Sequence, residues 1–467
     1  MIKFPHKTSL VAIWAASFGV WTVSLPAVGQ DQPGDQLFSF GIREKAGATG
    51  NIRLDNNSAG TTYYSDTELS FGFANTAGPH SLEFSAEGIA RMVNDPVIGT
   101  DYGFRDPRLD LSYTLDGVNS RLSLLSSYYK PDLAFLDPLQ EGGTSDQDFY
   151  SGGGQREDYY AGIKFETGLQ APLGFVFDLN SRARKYINTT DPVLFENQTD
   201  SISAGMNFRF SPVLRGRLDA SNRHYTAEDT NDTKRDTRRL TFGLDYELSE
   251  IAAVSLDLGH SKIVETHGAT PGFKTNLSGP VASLTFEQQT PRGEVRAAFD
   301  TILTQNGREN TFEAGQSFDL PTGKFEFSLG VAEGDTFNVR PIGSIAYTAD
   351  FPRSSFNVSL SRTASISDTL SEATETTKLD LGYMHDLSEV SALSFNLYAA
   401  DISLVGNSAS GQGRERGSFY ATYSHDVTED WDFAVGYEYK YYNPNSGGSA
   451  SSNGVFFALQ RDFEVFR

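Results

Sequence analysis

One pattern runs through this 467-residue chain: apolar and polar residues alternate with a period of two. Leu69, Phe71 and Phe73 alternate with Glu68, Ser70 and Gly72. Leu240, Phe242, Leu244, Tyr246 and Leu248 alternate with Arg239, Thr241, Gly243, Asp245 and Glu247, and Trp431, Phe433, Val435, Tyr437 and Tyr439 repeat the rhythm. Successive side chains of a strand point to opposite faces, so this alternation specifies strands with one apolar and one polar face. No helical stripe of comparable strength follows residue 29. The expected fold class is all-β.

The polar face is charged on almost every segment: Glu83 and Glu87, Lys164 and Glu166, Arg215 and Arg217, Lys378 and Asp380, Glu438 and Lys440. A soluble propeller would bury both faces of its strands and read as continuous apolar runs. A barrel closed in lipid instead turns the apolar face outward and the charged face inward, and closure satisfies every backbone group. Past the first residues no apolar run reaches the ~18 residues of a membrane-spanning helix. Ten short connections, from Asn75–Pro79 to Val427–Asp430, alternate with eleven longer polar ones, from Asp55–Gly60 to Asn443–Ser452. The longer set includes Val93–Phe104, Thr304–Glu309 and Gly334–Asn338. The expectation is a transmembrane up-and-down antiparallel barrel of about 22 strands, within a range of roughly 18 to 24.

The first residues have a different character. Lys3 and Lys7 precede an apolar run from Ser9 to Leu25, and Pro26-Ala27-Val28-Gly29 supplies small residues where a signal peptidase reads. Residues 1–29 read as a cleaved export signal and 30–467 as one barrel domain. Cysteine is absent, which excludes disulfides and any cysteine-based metal or redox site. A net charge of −22 argues against nucleic acid as a partner.

Three hairpins share a local pattern: Tyr246-Glu247-Leu248-Ser249-Glu250, Tyr383-Met384-His385-Asp386-Leu387-Ser388-Glu389 and Tyr423-Ser424-His425-Asp426-Val427-Thr428-Glu429. They resemble the periplasmic hairpins of Gram-negative outer-membrane β-barrels, especially porin-like barrels found with exopolysaccharide and capsule systems. The tyrosines fall where an interfacial aromatic girdle belongs. Val455, Phe457, Leu459, Phe463 and Val465 share one face of a final strand that resembles the signal read by the barrel assembly machinery, although the last residue is Arg467 rather than an aromatic. The resemblance implies residence in outer-membrane lipid, delivery by that machinery, and a passive channel for hydrophilic solutes or acidic polysaccharide. The alternative is a non-conducting barrel that anchors or assembles an envelope polysaccharide system. A porin-style homo-oligomer, which buries an apolar wall, stays open beside a monomer.

A barrel this wide leaves a large lumen. Strand one begins soon after the expected cleavage site, so the expectation is no plug domain and no TonB-dependent transporter. The third outer connection, Lys130 to Glu157, is the longest and carries Asp132, Asp137, Glu141, Asp146, Asp148 and Glu157. A long loop in a compact β structure is usually functional or disordered, so this segment is the candidate constriction and a mobile external loop is the alternative. Arg182, Arg184, Arg209, Arg215, Arg217, Arg223 and Arg239 share the polar face of neighbouring strands. They form a candidate basic pore wall, facing the acidic loop or carboxylate and phosphate groups of a solute. Pairing with lumenal aspartates is the plainer reading of the same residues.

No active site is legible. His260-Ser261 is an adjacent His/Ser pair, but neighbours on a strand face opposite ways. His385 and His425 hold equivalent turn positions, and Glu228 to Asp232 reads as solvated loop charge before a calcium site. No cofactor, no metal and no enzymatic activity are expected.

Overall fold

The computed structural model describes residues 36–143, 146–189, 191, 193–367, 372–405, 413–444 and 447–466. The expected export segment 1–29 lies outside them, as do stretches of several outer loops, and for Asp146, Val465 and Phe466 the backbone alone is described. The strands run β1 (Gln36–Gly50), β2 (Thr61–Ala77), β3 (His80–Asp95), β4 (Gly99–Asp116), β5 (Ser120–Tyr129) and β6 (Gln155–Thr167). Next come β7 (Leu173–Ile187), β8 (Asn197–Arg209), β9 (Leu214–Ala227), β10 (Thr233–Ser249), β11 (Ala252–His267) and β12 (Lys274–Thr290). Then follow β13 (Gly293–Thr304), β14 (Gly307–Leu320), β15 (Gly323–Gly334), β16 (Phe337–Phe351) and β17 (Ser354–Ile366). The last are β18 (Ala373–Ser388), β19 (Ser391–Leu404), β20 (Gly413–Thr428), β21 (Trp431–Asn443) and β22 (Ala450–Phe466).

Each strand pairs antiparallel with its sequence neighbours, and β22 closes on β1, with Phe40 opposite Phe463. The result is a closed barrel of 22 strands. Register carries the alternation around the wall: Ile163 faces Leu179, which faces Ile202, and Leu218 faces Phe242, which faces Leu258. These residues are exposed, Phe242 at 44% and Leu258 at 52%. An apolar belt of that extent is unstable in water and required in lipid. The charged partners named from the sequence all fall on the opposite face, toward the lumen. Among the described residues no helix is long and apolar enough to cross a membrane, and helical structure is a single 3-10 turn at Asp146–Asp148.

The outer rim differs from the expected alternation of short and long connections. Residues 96–98 join β3 to β4, and two-residue turns, 305–306 and 335–336, join β13 to β14 and β15 to β16. These segments read as loop because Thr304 to Glu309 and Gly334 to Asn338 are built largely of turn-type residues, Gly, Asn, Asp, Gln and Thr among them. Gly307, at φ +119, makes the first of those tight turns possible. The short hairpins leave a notch. β12 pairs with β13 only from Ala282 inward, so Lys274 to Val281 bond β11 alone. Pro280, which has no N–H, and Lys274 lie on that free edge, a placement that discourages strand addition.

Candidate functional site

The site grows from the 130–154 connection between β5 and β6, which folds into the barrel instead of projecting from it. Leu133, Leu136, Leu139, Phe149 and Tyr150 are almost wholly buried, Phe149 completely. Its entry is fixed by Asp132, whose N–H donates to Asp106 Oδ1 at 2.6 Å. Burial pushes the Asp132 carboxyl above its ordinary value, against backbone hydrogen bonding from Ala134 and the pull of nearby arginines. Its exit is Gly154, at φ +117, where an added Cβ would sit 2.8 Å from the Ile187 carbonyl oxygen.

Three walls hold the loop. Against β2 to β4, the Phe135 ring lies 3.6 Å from the Arg91 guanidinium carbon and edge-on to Tyr64. Arg91 is itself buried between Asp66 (2.8 Å) and Asp106 (3.0 Å). Against β6 to β8, Arg156 binds Glu141 of the loop at 2.8 Å and Asp158 of its own strand at 2.6 Å. Arg184 joins Asp158 at 2.7 Å and stands 3.8 Å from Asp148. The amide oxygen of Gln147 accepts from Asn197 at 3.1 Å, and its nitrogen donates to the Phe195 carbonyl.

The third wall is distant in sequence. Arg414 and Tyr442 both donate to the Phe149 carbonyl at 3.1 Å, and Arg416 donates to the Tyr150 carbonyl at 3.0 Å. Tyr420 donates to Asp137 at 2.6 Å, with Arg416 4.0 Å from the same carboxylate. Phe149 and Leu139 pack with Leu54, Tyr398, Ile402 and Tyr442 into one apolar cluster. The Tyr150 hydroxyl donates to the Leu133 carbonyl, and burial raises its pKa. The loop thus spans from its own strands to β20 and β21, across an arc of wall that passes through β22 and β1.

The acidic residues singled out in the loop have separate surroundings. Asp137, Glu141 and Asp148 meet arginines of the wall, and Asp132 shapes the entry. The side chain of Asp146 lies outside the described ones. Glu157 belongs to β6, on the outward face with Tyr159, whose hydroxyl it accepts at 2.9 Å, and pairs with Lys130. The expectation that it lines a constriction is therefore corrected: β6 begins two residues earlier, and strand parity turns position 157 outward.

All seven arginines occupy lumenal positions, in different settings. Arg184 is part of the loop anchor, and Arg182 lies 5.8 Å from the Tyr160 ring centre. Arg209 donates to the Ala171 and Leu169 carbonyls at a short turn, away from the outer mouth. Arg217 is held by Asp257 at 2.9 Å and Asp245 at 3.4 Å, whereas Arg215 reaches Glu247 only at 3.8 Å with 54% of its side chain exposed. Arg239 keeps a buried Nε without a hydrogen bond, and Arg223 opens to the lumen. Sequence reasoning missed Arg91, Arg156, Arg414 and Arg416, the cations that grip the loop. Their signal was present as basic residues near the outer ends of polar strand faces, but nothing local pairs them with positions 135 to 150. A recess of about 330 Å³ opens on the wall that runs from β22 through β1 to β5, lined by Arg43, Glu68, Glu87, Arg108 and Tyr129 among others.

No family model and no curated protein matches the chain. Solved structures do. Over 93% of this chain it is similar to the copper transporter OprC, with 10% identity, 81% of that chain covered and a TM-score of 0.55. Over the same share it is similar to the ferric-catecholate import receptor Fiu from E. coli K12, with 10% identity, 82% coverage and a TM-score of 0.53. The FrpB iron transporter from Neisseria meningitidis gives 9% identity, 93% and 83% coverage and a TM-score of 0.56. The likeness is one of fold, a closed barrel of 22 antiparallel strands.

This barrel shares its strand number and closure with these outer-membrane TonB-dependent receptors. Two expectations are corrected on that ground. A passive porin for solutes or acidic polysaccharide, and its alternative as a polysaccharide-system anchor, do not agree with neighbours that are metal transporters and import receptors. The exclusion of the TonB-dependent class, drawn from how early the first strand begins, fails because barrels of that class are what this wall matches; the expectation of no plug domain loses its support with it. None of these neighbours is an enzyme, in agreement with the absence of a legible active site.

Proposed function

We propose that this barrel is an uptake receptor of the outer membrane, importing a metal chelate that carries anionic groups, with the 130–154 loop as its gate. The observation that carries the reading is the docking of that loop on β20 and β21 through buried aromatic and ionic contacts. A lumen narrowed by a segment held at separable contacts suits ligand-dependent passage better than free diffusion. Beyond the anchored arc, Arg215, Arg223 and Arg239 stand on the β9–β10 wall, and guanidinium forks match carboxylate or catecholate oxygens. The cargo class is supported by the neighbours, which include a copper transporter and receptors for ferric chelates.

Binding to the purified full-length barrel tests this, with a ferric tris-catecholate, a ferric hydroxamate and copper(II) alone as probes. Saturable quenching of intrinsic fluorescence by one of the chelates is expected, weakened about tenfold or more when Arg215 and Arg239 are both changed to Glu. Absence of saturable binding, together with steady salt-proportional conductance of the wild-type barrel in a planar bilayer, would overturn the reading.

A further inference from the structure

We infer that the outer face of β10 to β12 binds the phosphate groups of an outer-leaflet glycolipid. On this face Leu240, Phe242 and Leu244 of β10, Leu256 and Leu258 of β11, and Ala282, Leu284 and Phe286 of β12 form a continuous part of the apolar belt. The next outward positions toward the rim change character at once. His260 lies opposite Leu240, and Arg238 lies opposite Lys262; Lys234 and Lys274 both stand opposite Thr266, one on either side. Arg238, His260, Lys262, Lys234 and Lys274 are all exposed.

Charge makes this arrangement informative. The chain carries a net charge of −22, so a concentration of cations is not a by-product of a basic composition. Turned inward on the same strand, Arg235 is neutralised by Glu265 at 2.6 Å. Turned outward, Arg238 and Lys262 sit side by side, and among the described residues neither makes an ion pair. The acid on this face is Asp236, and it is engaged by His224 at 2.8 Å. Two adjacent unpaired cations repel each other unless an anion lies between them.

The apolar belt of an outer-membrane barrel is about 25 Å tall, and the lipid headgroups begin where it stops. A phosphorylated glycolipid presents acyl chains to Leu240, Phe242 and Leu258 and its phosphates one step higher, level with Arg238 and Lys262. Both halves of such a molecule therefore meet complementary surface. A soluble anion would meet only the upper half. The inference depends on the outer-membrane location and is independent of what the lumen transports.

Native mass spectrometry of the full-length barrel in mild detergent tests it, titrated with a bis-phosphorylated lipid A and with the same glycolipid after dephosphorylation. A basic residue next to an anionic lipid surface strengthens attachment about fivefold. The phosphorylated form should therefore be retained about tenfold or more over the dephosphorylated one, and the preference should vanish in R238A/K262A. Lys185→Ala, outward on β7 opposite Glu157, should leave it unchanged. Equal retention of the two glycolipids by wild type, an unchanged preference in the double variant, or complete displacement by millimolar inorganic phosphate would each overturn the inference. The wild-type comparison decides the question even if the double variant does not fold.

Discussion

The hydroxyl of Tyr420 on β20 donates a 2.6 Å hydrogen bond to Asp137 of the third outer loop, joining residues 283 positions apart. The carboxylate is buried, and its other neighbour is the Arg416 guanidinium at 4.0 Å. A hydrogen bond to a charged acceptor contributes about 1.5–3 kcal/mol. Tyr420→Phe should therefore loosen the tip of the loop without disturbing the wall. Hydrogen exchange is the measurement: faster exchange at 133–143 and unchanged protection of β20 is the expected outcome, and equal protection in both proteins would show that the bond is incidental.

Phe149 contributes through packing. Its side chain is wholly buried against Leu139, Tyr398 and Tyr442, and its carbonyl accepts from Arg414 and Tyr442. Truncating a buried phenylalanine costs about 3–5 kcal/mol. Phe149→Ala should free the loop, so limited proteolysis should cut between residues 130 and 154 at least about tenfold faster. The heat-modifiable migration of the barrel itself should persist.

Arg91 sits under the loop with Asp66 and Asp106 as partners and Phe135 stacked on its guanidinium. Removing the cation leaves two buried carboxylates facing each other, at a cost of about 3–5 kcal/mol. Arg91→Met should lower the urea midpoint for refolding into lipid vesicles, and adding Asp66→Asn and Asp106→Asn should recover most of the loss. Failure of that rescue would mean that Arg91 matters mainly through Phe135.

Loop docking should depend on pH through Asp132. Burial holds its carboxyl above the ordinary value of 3.8, so the docked loop binds the proton more tightly than the released one. The stabilisation that follows is complete below about pH 4 and is lost as pH rises through the raised value. Exchange at 130–136, corrected for its intrinsic pH dependence, should accelerate across that interval in the wild type. Asp132→Asn should flatten the profile.

Much of the wall is legible in the sequence alone. Alternation is a local, one-dimensional signal, and lipid enforces it strictly, so strand number and the inward placement of Arg182, Arg215 or Glu438 follow from counting residues by twos. The same reasoning failed where polarity ceases to discriminate. Near the rim turn-type residues crowd the strand ends, so residues 304–309 and 334–338 read as loops although their strands turn within two residues, and Glu157 read as loop although it is an outward strand residue.

The sequence by itself determined an all-β closed wall, which side of it meets lipid, and which connection is long enough to enter the lumen. Tertiary structure decided where that connection lands. Phe149 meets Arg414 and Tyr442, and Asp137 meets Tyr420, because closure of β22 on β1 brings β20 and β21 round to the side of the barrel from which the loop departs. No local pattern encodes a contact between segments hundreds of residues apart. It exists only once the strand register and the circumference of the barrel have fixed the distance between them.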